Sequence, residues 1–332
     1  MVGASGRPHR RVAAVSMTMD RHWTSLFSDL DVHVKADAPL GPLTWFGVGG
    51  RADALVRPRS PEALAELVRR CGHNQIRMRV LGSGANLLVD DAGVEGVVIS
   101  LNDPSFATLE VNTQGGIELM KVGAGHDLMK LVTECARRGL TGIEGMTGIP
   151  AQIGGALAMN AGGRYGEIGD AVHAVAIVRP DGELRVYAKG ELHFAYRHAT
   201  LPEGVIAWAT FSMREEDPVV VRARVQEYMA YKKSVQPMSN SAAGCMFKNP
   251  VDPSTGQRVS AGKLIDEAGL KGHSVGKAFI SDRHANFFTC QPGACTDDLR
   301  ELVRAAQRTV LDRTGFDLET EVVFWSRHGD GA

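Results

Sequence analysis

The chain has 332 residues and a formal net charge of −1, with 44% hydrophobic and 23% charged residues. That length supports two or three domains with cores of their own, and near-neutrality without a basic block argues against nucleic acid as a partner. No apolar run reaches the length of a membrane span. The five cysteines are scattered and odd in number, which favours a reducing, cytoplasmic setting over a disulfide framework, and no His or Cys cluster has metal-ligand spacing.

Residues 1–22 read as a disordered leader, rich in arginine and too weakly apolar for a secretory signal, so that Met17 or Met19 could start the protein. A first unit is expected over 23–104. Ser60-Pro61-Glu62 has the order N-cap, first-turn proline and first-turn acid, and Leu64, Leu67, Val68 and Cys71 follow on one helical face. Strands are expected at Ile76–Leu81 and Val97–Leu101, giving a βαβ-like module that ends in the glycine loop Gly82–Asn86. A second unit, 105–213, holds a helix from Asp127 to Arg138 stopped by Gly139, and strands at Val172–Val178, Leu184–Tyr187 and Val205–Met213. Asp217-Pro218 marks a boundary to a third unit, 214–332. There a helix is expected over 219–232, followed by a loop Lys233–Pro237, a short helix near Ala261–Ala268 and a strand near Asn286–Thr289. A long helix capped by Thr296 and ended by Gly315 comes next, and a strand Leu318–Trp325 closes the chain.

The segment 139–166 carries nine glycines among Ile143, Met146, Ile149, Ile153, Leu157 and Met159. Such a run is too broken for one helix or strand and too apolar for a linker. Two readings are open for it alone: a set of tight turns, or backbone that approaches the phosphates or polar rim of a cofactor. Gly82-x-Gly84 and Gly123-x-Gly125 begin like dinucleotide fingerprints, but Leu87 and Leu128 stand where the third glycine belongs.

Taken together, Thr44-Trp-Phe-Gly47, Gly82-Ser-Gly-Ala-Asn86, Val122-Gly-Ala-Gly125, Gly148-Ile-Pro150, Gly154-Gly155, Asn160-Ala-Gly162, Tyr196-Arg197, Gln236-Pro237, Gly244–Pro250, His284–Phe287 and Glu319-Thr-Glu-Val322 resemble the UDP-N-acetylenolpyruvoylglucosamine reductase family. The resemblance runs from about Pro42 to Phe324. It implies an α+β architecture: a two-subdomain FAD-binding fold of the vanillyl-alcohol-oxidase (PCMH-like) type and a third α/β substrate-binding domain, with the C-terminal strand returning to the active site. It also implies FAD and NADPH as cofactors, a UDP-sugar as substrate, and a reaction in two halves. NADPH reduces FAD, and the reduced flavin reduces an enolpyruvyl double bond. Peptidoglycan precursor synthesis would be the context. An FAD oxidase or dehydrogenase of a hydroxy acid or sugar is the alternative on the same fold. Oligomeric state is not readable, and a monomer is compatible.

Residue by residue, the resemblance assigns the flavin to Trp45, Phe46, Gly47, Gly82, Ser83, Gly84, Ala85, Asn86, Gly125, Gly148, Ile149, Pro150, Gly154, Gly155, Asn160, Ala161 and Gly162. Tyr196, Lys233 and Asn249 would hold the UDP-sugar, with Lys232 an adjacent competitor to Lys233. Arg197 would meet the substrate carboxylate, where a planar, permanently charged fork suits developing enolate charge. Glu321 is the acid of the terminal Glu-x-Glu-Val segment, although Glu319 has the same strand parity. Cys245 would be the proton donor, in a place where serine is commoner in the family. An ordinary thiol is mostly protonated at neutral pH, but nearby Lys248 would favour the thiolate, the wrong form for an acid. The chain resembles the branch of the family that lacks a tyrosine-bearing loop insertion between residues 211 and 231.

Overall fold

A computed structural model describes residues 22–114, 117–236, 243–327 and 329. The expected leader up to residue 21, and Pro237, lie outside them. No helix among the described residues is long and apolar enough to cross a membrane.

The first body is a four-stranded sheet. Val32–Pro39 pairs antiparallel with Arg51–Pro58, which pairs parallel with Val94–Ile99, itself parallel to Met78–Val80. The helix Pro61–His73 lies on it: Ser60 Oγ accepts from Ala63 N at 3.1 Å, and Leu64, Leu67, Val68 and Cys71 are buried. The strand expected from Ile76 begins only at Met78, because Ile76 N still donates to Cys71 O at the helix end. Its partner starts at Val94 rather than Val97, ahead of Gly96, whose φ of +87° breaks the apolar pattern that sequence reading relies on.

The second body is a largely antiparallel sheet in the order Leu184–Ala188, Val172–Val178, Val205–Glu215, Ile117–Gly123, Leu109–Gln114. The helix Leu128–Arg138 covers it, capped by Asp127 (Oδ1 accepts from Lys130 N at 2.8 Å) and closed by Gly139 at φ +72°. The helix Pro218–Val235 also belongs here rather than with the third unit. Val225 packs on this core, and Arg224 donates to Glu144 (2.5 Å) and Glu216 (2.9 Å). Asp217-Pro218 thus separates a strand from a helix and not one packing unit from the next. The third core is built from described residues from Ala243 onward together with Phe46, Val48 and Leu88 of the first unit.

The third body is the three-stranded sheet Ser274–Val275, Ala278–Ile280, Phe288–Cys290 with the helices Ala261–Glu267 and Thr296–Thr314. Cys295, not Thr296, is the N-cap of the last helix. Thr296 instead ties this body to the first: its N donates to Asp91 Oδ2 (2.8 Å) and its Oγ1 to Val89 O (2.7 Å). The expected terminal strand Leu318–Trp325 is strand only at Val323–Trp325, which pairs parallel with Leu87–Val89. The chain bends before it, because Glu321 N donates to Met246 O at 2.8 Å and pulls the backbone toward the Cys245 loop. The C-terminus therefore sews the third body to the end of the Gly82–Asn86 loop.

Candidate active site and flavin cradle

A cavity of about 390 Å³ opens where the three bodies meet, with more apolar than polar lining, as ligand sites usually have. One wall is the loop Gly82–Asn86, and the opposite wall is Gly148–Gln152 with Gly155, Ala161 and Gly162. Ser83 Oγ donates to Pro150 O at 3.0 Å and holds the two walls in register. Arg197, Lys232, Cys245 and Glu321 line it too, with Glu321 O accepting from Asn86 Nδ2 at 3.0 Å.

Two glycines show how backbone makes this shape. A Cβ on Gly84 would lie 2.1 Å from Leu43 O, and its φ of +68° is left-handed, so the loop can close only with glycine there. A Cβ on Gly155 would meet no protein atom within 4 Å. Gly155 is bare because the space in front of it is the cavity. The backbone N–H groups of residues 82–86 make no hydrogen bond within the described residues. A cluster of free N–H donors beside a glycine-walled slot fits the phosphates and ring edge of FAD.

Among the residues the sequence assigns to the flavin, Gly82–Asn86, Gly148–Pro150, Gly155, Ala161 and Gly162 line the cavity. Others serve it from behind. Trp45 N donates to Gly84 O (3.0 Å), while Phe46 is buried in the third core. Gly47 takes φ +70° in that turn. Gly125 lets its strand end pass Leu101 O, and Gly154 packs on Ala124. Asn160 is 1% exposed and binds protein groups only: Glu167 Oε2 (2.6 Å), Ala195 O (2.8 Å) and Gly169 N (3.0 Å).

Arg197 is the second residue of the two-residue loop joining His193–Ala195 to His198–Thr200, at φ +54°. A left-handed arginine is a strained choice, of the kind found where a side chain must be aimed. Its Nε donates to Glu321 Oε1 at 2.8 Å, and both side chains are mostly buried. Glu321 is 16% exposed, against 74% for Glu319, which binds Lys248 at 2.6 Å outside the cavity. The bend after Glu321 removes the strand parity that left the two acids equivalent on paper. Burial pushes the Glu321 carboxyl up, with the charge and hydrogen bond of Arg197 opposing it.

Cys245 follows Gly244 (φ +42°) in a turn clamped by Asn286, whose Oδ1 accepts from Phe247 N (2.9 Å) and whose Nδ2 donates to Phe247 O (2.8 Å). Burial pushes the thiol up to about 12, and the Glu321 charge adds to that; Arg197 and Lys232 oppose it. Lys248, expected to favour the thiolate, is engaged by Glu319 and is not among the groups acting on Cys245. Burial therefore favours the protonated thiol at neutral pH.

The lysine that faces the cavity is Lys232. It is 9% exposed, lies against Gly148, and has no hydrogen-bond partner among the described residues; Lys233 is exposed on the outside of the same helix. Burial, followed by the Arg197 charge, lowers Lys232 to about 8. Tyr196 and Asn249 lie just outside the lining. The Tyr196 hydroxyl accepts from Asn249 N (3.3 Å), Arg258 sits 3.7 Å over its ring, and Asn249 Oδ1 accepts from Ala261 N (3.0 Å). Lining residues to which sequence reading gave no role include Gln152, Met159, Phe287, Val323 and Trp325, apolar or amide groups of the wall with no chemical signature of their own.

A glycine-walled cradle ending in an enclosed thiol, an arginine and a carboxylate defines a flavin-dependent oxidoreductase. Residues 52–187 match the FAD binding domain, and residues 236–325 match the C-terminal domain of UDP-N-acetylenolpyruvoylglucosamine reductase. The chain is 40% identical to the reductase of that name from Desulfosudis oleivorans, over 91% of this chain and 97% of that one. It is 38% identical to the one from Myxococcus xanthus, over 87% and 91%. The crystal structure of the Thermus caldophilus reductase superposes with a TM-score of 0.74 at 40% identity, covering 89% of this chain and 98% of that one. The 6-hydroxy-D-nicotine oxidase of Arthrobacter nicotinovorans, at 15% identity and a TM-score of 0.54, shares the fold alone. The chain belongs to the UDP-N-acetylenolpyruvoylglucosamine reductase family, and FAD is its cofactor.

Proposed function

We propose that this protein reduces the enolpyruvyl group of UDP-N-acetylenolpyruvoylglucosamine to UDP-N-acetylmuramate with NADPH, in the cytoplasm, as a step of peptidoglycan precursor synthesis. The observation that carries the reading is the meeting of Cys245, Arg197 and Glu321 in the cavity whose glycine walls fit FAD. Bound FAD would supply the two-electron transfer from NADPH to the substrate alkene. The residues supply the rest. The accepting carbon is beta to a carboxylate, so negative charge develops on an enolate. Arg197 answers that charge with a planar fork whose Nε edge is already fixed by Glu321. The Cys245 thiol gives its proton to the alpha carbon, and the thiolate left behind lies within the field of Arg197 and Lys232 until solvent reprotonates it. Lys232 is suited to an anionic part of the substrate, because a buried, unpartnered cation needs a counter-charge. The resemblance to the family's motifs, with the Tyr196 hydroxyl accepting from Asn249 N at 3.3 Å, also supports Tyr196 and Asn249 as a platform beside the UDP.

Stopped-flow spectroscopy tests the reading. NADPH should bleach the bound flavin, and the enolpyruvyl UDP-sugar should restore its colour under nitrogen. Failure of the UDP-sugar to reoxidise the flavin, with rapid oxygen consumption on a simple hydroxy acid, would refute it.

A further inference from the structure

Among the described residues, Glu167 is the acid paired with Arg197 that the reaction above does not use. It stands at the end of the short hairpin Gly162–Gly163/Gly166–Glu167. Its Oε1 is 3.9 Å from Arg197 Nη1, and its Oε2 accepts from Asn160 Nδ2 at 2.6 Å. Asn160 is itself left-handed (φ +46°) and buried, and the same Nδ2 donates to Ala195 O, two residues before Arg197. The network thus touches the arginine twice, through its backbone loop and through its guanidinium.

The geometry points to Glu167 as the positioning residue for Arg197, an inference that rests on the reductase reading. Glu321 fixes only the Nε edge of the guanidinium. The Tyr196 ring lies 4.9 Å from the guanidinium carbon and backs one face, so what remains to be set is the direction of the Nη donors, and a second carboxylate on that side sets it. The 3.9 Å separation is too long for a hydrogen bond, so Glu167 attracts the fork without occupying its donors. Asn160 enforces this distance, because it ties the other carboxylate oxygen back toward the hairpin. The Nη donors stay available for the substrate carboxylate while their direction is held. Two left-handed non-glycine residues, Asn160 and Arg197, lie in this one network, and strain of this kind persists only where surrounding contacts over-determine it.

Glu167 also caps the single-turn helix Ile168–Ala171 through a reciprocal arrangement with Asp170. A purely structural role is therefore the competing account, and the test separates the two. Glu167→Gln keeps the size and one acceptor oxygen, which can still face Asn160, but removes the charge that acts on Arg197. Wild-type enzyme is run beside it through both half-reactions, and its reoxidation by the UDP-sugar checks the reductase reading independently. For E167Q the expected result is unchanged flavin content, melting temperature and rate of flavin reduction by NADPH. Reoxidation by the UDP-sugar should be slower by roughly tenfold or more, with a comparable weakening of substrate binding in a titration of the oxidised flavin spectrum. Glu167→Asp, which keeps the charge, should lose less than E167Q. Wild-type reoxidation and binding in E167Q would overturn the inference. So would failure of E167Q to fold, an equal loss of both half-reactions with a lowered melting temperature, or an E167D defect larger than that of E167Q.

Discussion

The sharpest consequence of the geometry concerns Cys245. Removing the thiol as Cys245→Ala deletes the proposed proton donor but leaves Arg197 and Glu321 in place. With its pKa pushed up to about 12 by burial, the thiol stays protonated through the neutral range. Nearly every molecule is thus competent to donate, and loss of the donor should cost the substrate half-reaction roughly 10²–10⁴-fold. Cys245→Ser keeps an O–H donor of similar size and should retain substantial activity. Neither change should alter the reduction of flavin by NADPH, since no proton from Cys245 enters that half. The assay is anaerobic stopped flow in two mixes, first with NADPH and then with the UDP-sugar. Normal reoxidation in C245A would refute the donor role. A fall in substrate reduction on an apparent pKa near 8.5, abolished in C245S, would refute the claim that burial keeps the thiol protonated.

Arg197→Ala and Glu321→Gln should each slow reoxidation by the UDP-sugar, Arg197→Ala by roughly 10²-fold or more, with flavin reduction intact; transient kinetics on both variants checks this. Lys232→Met should weaken UDP-sugar binding while Lys233→Met should not, and wild-type affinity should decline above pH 8 as Lys232 loses its proton, a decline absent from K232M. Isothermal titration from pH 6.5 to 9.5 reads both effects. Gly155→Leu should fold and melt normally yet lose bound flavin, because its side chain enters only the cavity. Gly84→Ala should be destabilised by more than about 2 kcal/mol, through a strained φ and the clash with Leu43 O. Flavin absorbance and thermal melts separate the two. Stability should fall as pH rises above about 9. Cys71, Cys135, Cys245 and Cys290 are each pushed up to about 12 from 9.0 in the fold, so the unfolded chain releases protons that the folded chain keeps. Lys232, lowered to about 8, acts in the opposite sense between pH 8 and 10.5, but it is one group against four. A melting temperature that climbed from pH 9 to 10.5 would contradict this.

Elements with both a local stop signal and a regular apolar period were legible in the sequence. The helix Leu128–Arg138 is an example, with Asp127 and Gly139 satisfying its ends from within the segment. Where a distant group takes over a local signal, sequence reading misplaced the element. Thr296 has the side chain of an N-cap, but Val89 O and Asp91 claim it from the first body, and the cap passes to Cys295. Leu318–Trp325 alternates like one strand, yet Met246 O captures Glu321 N and bends it. Both failures come from contacts more than 70 residues away in sequence, which no window of local periodicity contains.

The lysine is a different case, because the signal for it was present. On the helix Pro218–Val235 the positions 221, 225, 228 and 232 advance by four, three and four residues, the spacing of one helical face. Val221 is buried, Val225 and Tyr228 are partly buried, and Lys232 continues the stripe. Continuing the phase of the apolar residues places Lys232 inside and Lys233 outside, before any fold is known. A cation on the buried stripe is costly unless something negative meets it. In this structure nothing among the described residues does, and the stripe ends at the cavity that Arg197 and Cys245 also face. The helix thus presents its charge to the cavity by the same periodicity that packs its other end. The span expected for it, 219–232, ends at the residue that matters, so a boundary drawn three residues short hid the phase argument that would have chosen between the two lysines.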